Sequence, residues 1–289
     1  MLERVTKSLA AVAFASVLFP ACGHAGDTGF DTEHLFGFMI GTDVGSRGER
    51  EFQSETTGRF GKNNGKYRTI GQQLELEFVP IPNFRVEVGT AFARHDINGV
   101  PGIEDRRQLA WQGLSLELRY RFMERDTAPF GLTFAAESNV SRVGAVSGAR
   151  VRSYGTEFTL ALDRELVPNV VAAFNLTYQP EWTRVVETGT AQYESLVGAA
   201  VGAMIRVTPG VLVGGEVRYF RHYEGVGLDE FAGQALFVGP TTYFQLSNHS
   251  RLTATWSVQA WGRPAGSNAA LDLVNFERHQ ARLVFGVNF

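Results

Sequence analysis

Alternation of apolar and polar residues with a period of two is the sequence feature that most limits what this chain can fold into. In residues 74–78 (LELEF) the apolar side chains take the even positions and the carboxylates the odd ones. The same alternation recurs in residues 84–88 and 114–122. A period of two places the two sets on opposite faces of a β-strand. Its repetition along the chain predicts an all-β protein.

The number and length of the alternating segments narrow the fold further. Most run to about 11 residues or more, which exceeds the 5 or 6 typical of globular strands and is long enough to cross a bilayer while tilted. The sequence predicts strands at residues 35–45, 67–79, 84–95, 109–123, 130–140, 153–166, 170–182, 191–207, 211–222, 231–246, 251–262 and 276–289.

The connections between these segments alternate between short and long. Short turns are predicted at residues 80–83, 124–129, 167–169, 208–210 and 247–250. Longer polar connections are predicted at residues 46–66, 96–108, 141–152, 183–190, 223–230 and 263–275. Membrane barrels of bacteria pair short periplasmic turns with longer extracellular loops and use an even number of strands. The pattern predicts an antiparallel, up-and-down transmembrane β-barrel of about 12 strands.

The first 25 residues have the composition of a secretory signal peptide. Arg4 and Lys7 precede an apolar stretch at residues 9–19, and a small residue, Ala25, offers a cleavage site. The apolar stretch is too short for a transmembrane helix, which disfavours an uncleaved anchor. Cys22 is the only cysteine and lies in this leader, preceded by residues untypical of a lipidation site. We therefore expect a signal peptide at residues 1–25 and a barrel domain at residues 26–289.

The last strand carries a more specific signal. Phe285, Val287 and Phe289 alternate with small or polar residues up to the terminus. This ending resembles the C-terminal targeting strand of bacterial outer-membrane proteins, in which a terminal aromatic follows alternating apolar residues. The resemblance implies export to the outer membrane, contact with its lipid, and the barrel-assembly machinery as a partner during insertion. It covers this strand closely and the rest of the chain only in architecture.

Charged residues occupy the face opposite the apolar one. An arginine or lysine turned toward lipid at the midplane would cost roughly 2–4 kcal/mol, so we expect these side chains to point into the lumen. There they either line a narrow hydrated path and set its selectivity, or brace the lumen as ion pairs. The predicted lumen-lining residues are Glu75, Glu77, Arg85, Glu87, Glu117, Arg119, Arg121, Glu137, Glu157, Glu194, Arg206, Glu216, Arg218, Arg251 and Arg282.

Catalytic and metal-binding signals are weak. The run from Asn248 to Ser250 includes His249, but adjacent residues in a turn do not place a nucleophile within reach of its base. His95, His222 and His279 fall near extracellular strand ends, yet their strands are not neighbours. We therefore expect no catalytic residue, no metal and no cofactor. The net charge of −3 gives no reason to expect nucleic acid as a partner.

These observations favour a narrow porin-like channel for small hydrophilic solutes. A closed barrel with a structural or surface-interaction role, and a lipid-modifying outer-membrane enzyme, remain as alternatives. The charged segment 46–66 is expected to be a loop, either solvated or folded inward as a constriction. The sequence leaves the solute, the state of the lumen and the oligomeric state open.

Overall fold

The computed structural model describes residues 31–289, which form a closed barrel of twelve antiparallel strands. The strands are β1 (Arg50–Phe60), β2 (Lys66–Ile81), β3 (Phe84–Asn98), β4 (Arg106–Met123), β5 (Gly131–Val143), β6 (Arg150–Val167), β7 (Val170–Val185), β8 (Ala191–Thr208), β9 (Val211–Glu224), β10 (Glu230–Gln245), β11 (Ser250–Pro264) and β12 (His279–Asn288). Among these residues no helix is both long and apolar enough to cross a membrane.

Each strand pairs with its neighbours in sequence, and the first strand closes the barrel against the last. The β1–β12 pairing runs from Glu51 opposite Asn288 to Phe60 opposite His279. Closure leaves no strand edge with unpaired backbone groups, which is what a sheet in hydrocarbon requires. The predicted barrel architecture is therefore confirmed, as is its strand number.

The short connections share one local design. The turns after β2, β6 and β8 are Pro82-Asn83, Pro168-Asn169 and Pro209-Gly210. Asn83, Asn169 and Gly210 adopt φ values of 65°, 70° and 75°. Proline fixes the first turn residue, and asparagine or glycine accepts the left-handed conformation at the second. These tight turns define one end of the barrel, which is the periplasmic end in bacterial outer-membrane barrels.

One predicted strand is wrong. Residues 35–45 form no strand, and β1 lies instead at Arg50–Phe60, inside the segment 46–66 that the sequence predicts as a loop. The outward positions of β1 include Ser54 and Thr56, so its alternation is weak. Residues 35–39 are apolar on both parities and therefore look more like a buried strand. The other eleven predicted strands overlap observed ones.

The two faces of the barrel are the reverse of those of a soluble protein. Leu76, Val88 and Phe122 are among the large apolar side chains that stand exposed on the outside. Arg85 and Glu216, by contrast, are fully buried on the inside. An apolar exterior around a charged interior is expected of a sheet whose outside solvent is lipid. The chain is thus an outer-membrane β-barrel.

Candidate functional site

The lumen is occupied by the chain segment that precedes β1. We call residues 31–46 the lumen plug. Its side chains Leu35, Phe36 and Met39 are buried, and Val44 is fully enclosed. The wall makes room for it: a Cβ added at Gly202 of β8 would lie 2.6 Å from the ring of Phe36. The segment predicted as the first strand is therefore an internal filling of the barrel.

Glu216 of β9 is one anchor of the lumen plug. The backbone N–H of Gly37 donates to Glu216 Oε1 at 2.6 Å, and that of Phe38 donates to Oε2 at 3.0 Å. Thr241 Oγ1 also donates to this carboxylate, at 2.7 Å. Hydrogen bonds to a charged acceptor are stronger than neutral ones. A single buried carboxylate thus satisfies two backbone donors of a segment that has no strand partner.

Asn175 and Asp163 hold the plug on the adjoining wall. Asn175 Oδ1 accepts from the N–H of Ile40 at 2.8 Å, while its Nδ2 donates to the carbonyl of Ile40 at 2.9 Å. Asp163 accepts from the N–H of Thr42 at 2.8 Å and from its hydroxyl at 2.7 Å. Both residues lie in the half of their strands that adjoins the short turns. The plug therefore fills the periplasmic half of the lumen.

Other wall residues donate to the plug carbonyls. Thr133 Oγ1 bonds the carbonyl of Thr42 at 2.6 Å, and Thr253 Oγ1 bonds that of His34 at 2.8 Å. These donors come from β5 and β11, on different sides of the barrel. The plug is consequently tied to the wall around the circumference, through side chains of the barrel.

Phe38 links the plug to two arginines. The guanidinium of Arg218 lies 3.8 Å from the ring centroid of Phe38, and that of Arg282 lies 4.5 Å from it. Both distances are within the range of cation–π attraction. Arg282 also pairs with Glu55 at 3.0 Å. Phe38 therefore covers two basic side chains that would otherwise face the open lumen.

Near the periplasmic exit, Asp43 of the plug contacts two arginines. It pairs with Arg121 at 3.3 Å and with Arg125 at 2.7 Å. Burial alone would lower the pKa of Arg125, but the nearby carboxylates of Asp43 and Asp163 outweigh it and raise that pKa. Arg125 belongs to the turn between β4 and β5. This turn thus holds the plug electrostatically from the periplasmic side.

A network of ion pairs surrounds the start of the plug. Arg85 contacts Glu33 of the plug, as well as Glu77, Glu87 and Glu117 of the wall. Arg119 adds a bond to Glu117 at 2.9 Å. A buried guanidinium needs such partners, because removing its charge from water without compensation is costly. The network braces this side of the wall and includes the plug in the brace.

Further up the lumen the wall is acidic. Glu137 and Glu157 are direct cross-strand neighbours on β5 and β6. Their hydrogen-bond donors include the amides of Gln73, at 3.4 Å from Glu137, and Gln179, at 2.6 Å from Glu157. In the described part of the chain, no basic side chain lies within ion-pair distance of these carboxylates or of Glu75. We call Glu75, Glu137 and Glu157 the acidic wall.

Two extracellular loops narrow the opposite mouth. Residues 144–149 bend inward, so that His95 Nε2 lies 3.1 Å from the carbonyl of Ala145 and Tyr67 donates its hydroxyl to the carbonyl of Val146. Residues 265–278 bend in from the other side, and Phe276 packs against the buried Phe237. The mouth is therefore constricted by loop backbone and by an aromatic contact.

The predicted lumen residues occupy several levels of the barrel. Eight of them lie at the plug or in the ion pairs around it: Glu77, Arg85, Glu87, Glu117, Arg119, Arg121, Glu216 and Arg251. Five lie farther along the lumen or beside Phe38 of the plug: Glu75, Glu137, Glu157, Arg218 and Arg282. Glu194 pairs with His222 at the extracellular rim, and Arg206 lies near the periplasmic end of β8. Their roles in selectivity or bracing stay predictions.

The three histidines near the extracellular strand ends do not contact one another in the structure. His95 contacts a loop carbonyl, His222 contacts Glu194 at 3.1 Å, and the ring of His279 lies 5.6 Å from that of Trp256. In the turn after β10, the hydroxyls of Ser247 and Ser250 bond each other at 2.7 Å.

Phe285 and Phe289, in the predicted assembly signal with Val287, expose 37% and 70% of their surface, and their role in assembly stays a prediction. The predicted signal peptide at residues 1–25 lies outside the described residues.

Several functional candidates were not predicted from the sequence. They are Glu33, His34 and Asp43 in the plug, and Thr133, Asn175 and Thr253 among the wall residues that hold it. One sequence signal for the plug exists. Its two inner glycines, Gly37 and Gly41, interrupt an otherwise apolar run, and a Cβ at either would lie within 2.1 Å of another atom. Close packing of backbone is typical of a segment enclosed on all sides.

Comparison with known proteins places the chain among barrels of this type. A family model described as "Family of unknown function (DUF6662)" matches residues 28–289. No curated protein matches the sequence. The fold is similar to the COG4313 outer membrane channel from Pseudomonas putida F1, with a TM-score of 0.58 at 12% identity over 86% of this chain and 98% of that one. It is also similar to the NanC porin, with a TM-score of 0.50 at 8% identity over 82% of this chain and 98% of that one.

Proposed function

The chain belongs to a family of unknown function, DUF6662, and we propose that it is a narrow, gated outer-membrane channel for small hydrophilic solutes, closed by its lumen plug. The observation that carries the proposal is how the plug is held. Residues 31–46 precede β1 and take no part in the strand pairings, so they can leave the lumen without breaking the barrel. The closed barrel and the removable filling are thus separate parts.

The contacts that hold the plug are of a kind that water can replace. Glu216, Asn175 and Asp163 bind its backbone through hydrogen bonds. A typical protein hydrogen bond contributes only about 0.5–1.5 kcal/mol net, because water competes for both partners. The plug gives up apolar contacts on leaving, and the wall that it exposes carries polar residues such as Asn175 together with apolar ones such as Val171 and Met204. Such a segment can alternate between docked and released states.

The acidic wall supports a preference for cations. Glu137 and Glu157 face each other across neighbouring strands without a basic partner among the described residues. Rings or strips of carboxylates in a narrow path favour cations over anions. With the plug released, a small cationic or neutral hydrophilic solute would meet this strip between the two ends of the barrel. We propose that Glu75, Glu137 and Glu157 set this preference.

Single-channel recording in a planar bilayer tests the proposal. The mature protein is expected to be closed for most of the recording, whereas a variant lacking residues 31–46 is expected to show discrete, long-lived open steps. A salt gradient then gives a reversal potential of the sign expected for cation preference. If the deletion variant is folded by its heat-dependent gel mobility yet stays silent, the channel hypothesis fails.

A second candidate function is a closed barrel with a structural role. The ion-pair network favours it, because Arg85 and Arg119 brace the wall and the plug together. Substituting Glu117 and Arg119 in pairs tests this alternative. Loss of barrel stability with no effect on permeability, in the plug-deleted background as well, would support bracing. A lipid-modifying activity stays a prediction that a hydrolysis assay in detergent with calcium can test.

A further inference from the structure

A buried cluster of one imidazole and several carboxylates joins the plug to the wall. His34 Nε2 lies 3.6 Å from Glu33 Oε2, 3.7 Å from Glu51 Oε2 and 3.9 Å from Glu77 Oε2. Glu33 and His34 belong to the plug, whereas Glu51 is on β1 and Glu77 on β2. One donor atom from each of Glu33, His34 and Glu77 lies within 4.8 Å of the other two. The cluster thus converges from two separate parts of the molecule.

The imidazole of His34 is aimed at these carboxylates without bonding any of them. Its side chain is only 9% exposed, and Nε2 has no hydrogen-bond partner. Oxygen Oε1 of Glu77 is likewise buried without a partner. The imidazole nitrogen of histidine is a common ligand of transition-metal ions.

The distances around His34 suit an ion placed between the donors. They are too long for hydrogen bonds. A tetrahedral zinc ion with bonds of about 2.1 Å separates its ligand atoms by roughly 3.4 Å. The distances of 3.6–3.9 Å from His34 Nε2 to the three carboxylates exceed this value by a few tenths of an ångström, and the donor atoms of Glu33, His34 and Glu77 all lie within 4.8 Å of one another. Imidazole nitrogen and carboxylate oxygen are both ligands of Zn²⁺ in proteins.

Carboxyl groups outnumber guanidinium groups around the cluster. The carboxyl groups joined through these contacts number five and the guanidinium groups three: Glu33, Glu51, Glu77, Glu87 and Glu117 against Arg85, Arg119 and Arg251. Buried carboxylates need compensation by a nearby positive charge, which a divalent cation would add here.

A small cleft adjoins the carboxylates of the cluster. It is lined by Glu33, Glu51 and Glu77, and also by Gly45 and Glu49, which precede β1. Arg85 reaches the same cleft, where it occupies Oε1 of Glu33 and leaves Oε2 turned toward His34. An ion in this cleft would therefore meet acidic side chains close to the imidazole.

We propose that Glu33, His34 and Glu77, with Glu51 beside them, form a binding site for a divalent transition-metal ion of the Zn²⁺ class. Two ligands come from the plug and the others from the wall, so the ion latches the plug in the lumen. This latching role rests on the proposed gating of the channel. Metal binding itself does not, because it needs only the docked plug described above.

Metal binding is tested with Zn²⁺ on the folded mature protein in detergent. The wild type, after removal of adventitious metal, is expected to take up one tightly held equivalent of Zn²⁺ in the presence of a competing chelator. His34→Gln is expected to weaken this binding by at least about 100-fold, since loss of even a supporting residue costs 10–100-fold. The matched control is His249→Gln, which removes an exposed histidine of a periplasmic turn and is expected to keep the site.

A second variant and a spectroscopic measurement distinguish loss of the metal site from misfolding of the barrel. Glu33→Gln changes the plug alone, so the barrel keeps its strands whether or not the plug docks. Co²⁺ in place of Zn²⁺ is expected to give a visible band of a four-coordinate site, absent in both plug variants. No tight Zn²⁺ in the wild type, or equal binding in wild type, His34→Gln and Glu33→Gln, overturns the proposal.

The experiments can reject the proposed metal site and the proposed channel independently of each other. If Zn²⁺ binds as expected but the plug-deleted barrel does not conduct, the site stands and the proposed channel falls. If the plug-deleted barrel conducts but no variant alters Zn²⁺ binding, the channel stands and the metal site falls. If both stand, adding a chelator to the wild type is expected to raise its open probability.

Discussion

Glu216→Gln is expected to release the lumen plug while leaving the barrel folded. Glu216 Oε2 accepts the N–H of Phe38 at 3.0 Å, and Oε1 accepts that of Gly37 at 2.6 Å. The substitution keeps the size of the side chain but turns one of these oxygens into an amide donor. The N–H that it faced then loses its partner, and the remaining bond is no longer assisted by charge.

The magnitude follows from these two bonds. A hydrogen bond to a charged group contributes about 1.5–3 kcal/mol, and a neutral bond about half as much. Losing one bond and weakening the other should cost the docked state about 2–4 kcal/mol. Since 1.4 kcal/mol corresponds to a factor of ten, the ratio of released to docked plug should rise by about 30- to 700-fold. The strand pairings of β9 should be unaffected, because they use backbone groups.

Two readouts measure this change. Single-channel open probability reports the released state directly. The rate at which a V44C thiol reacts with a maleimide reports it independently, because Val44 is fully enclosed while the plug is docked. Cys22, the only native cysteine, lies in the predicted leader, so the mature variant would carry one thiol.

The matched control is Glu181→Gln. Glu181 accepts hydrogen bonds from Ser153 and Thr183 on the neighbouring wall, and none of its hydrogen bonds involves the plug. It should leave the open probability and the V44C labelling rate unchanged. If folded Glu216→Gln behaves like this control in both assays, Glu216 does not hold the plug and the reasoning is wrong.

Three further changes have expected outcomes. Arg125→Gln removes the contact with Asp43 at 2.7 Å and should raise V44C labelling about tenfold, for a loss of about 1–2 kcal/mol; an unchanged rate would contradict this. The double change Glu137→Gln and Glu157→Gln, in the plug-deleted barrel, should lower the cation-to-anion permeability ratio read from the reversal potential, and an unaltered ratio would remove the acidic wall from selectivity. Phe289→Ser should reduce the amount of folded barrel in the outer membrane of cells without affecting refolding of the purified chain; equal amounts would argue against an assembly signal.

Much of the barrel could be predicted from local patterns. Strands β2 to β12 carry apolar side chains on one parity and polar ones on the other, and the Pro-Asn and Pro-Gly turns mark where they reverse. Both signals depend only on residues close together in sequence, so they can be recognised without knowledge of distant contacts. The inward direction of Arg85 or Glu216 follows from the same alternation, because the opposite face must meet lipid.

The first strand shows where such patterns fail. Residues 35–45 are apolar enough for a strand, and Arg50–Phe60 is polar enough for a loop. Enclosure inside the lumen buries apolar side chains as well as a strand does, so composition does not distinguish the two. Closure of the barrel decides between them: Arg50–Phe60 pairs on both sides with β2 and β12, and the preceding segment is left to fill the interior.

The sequence by itself determined that this chain forms a membrane barrel with a charged inner face. Only the tertiary structure decided what that face does. In the lumen, His34 lies close to Glu77, Glu33 and Glu77 share the partner Arg85, and the N–H of Gly37 donates to Glu216. The residues in each of these contacts between plug and wall are far apart in sequence. Strand alternation fixes the face on which a side chain lies, but the height of each strand in the barrel and the path of the plug determine its partners. Those depend on register and closure, which are properties of the whole assembled sheet.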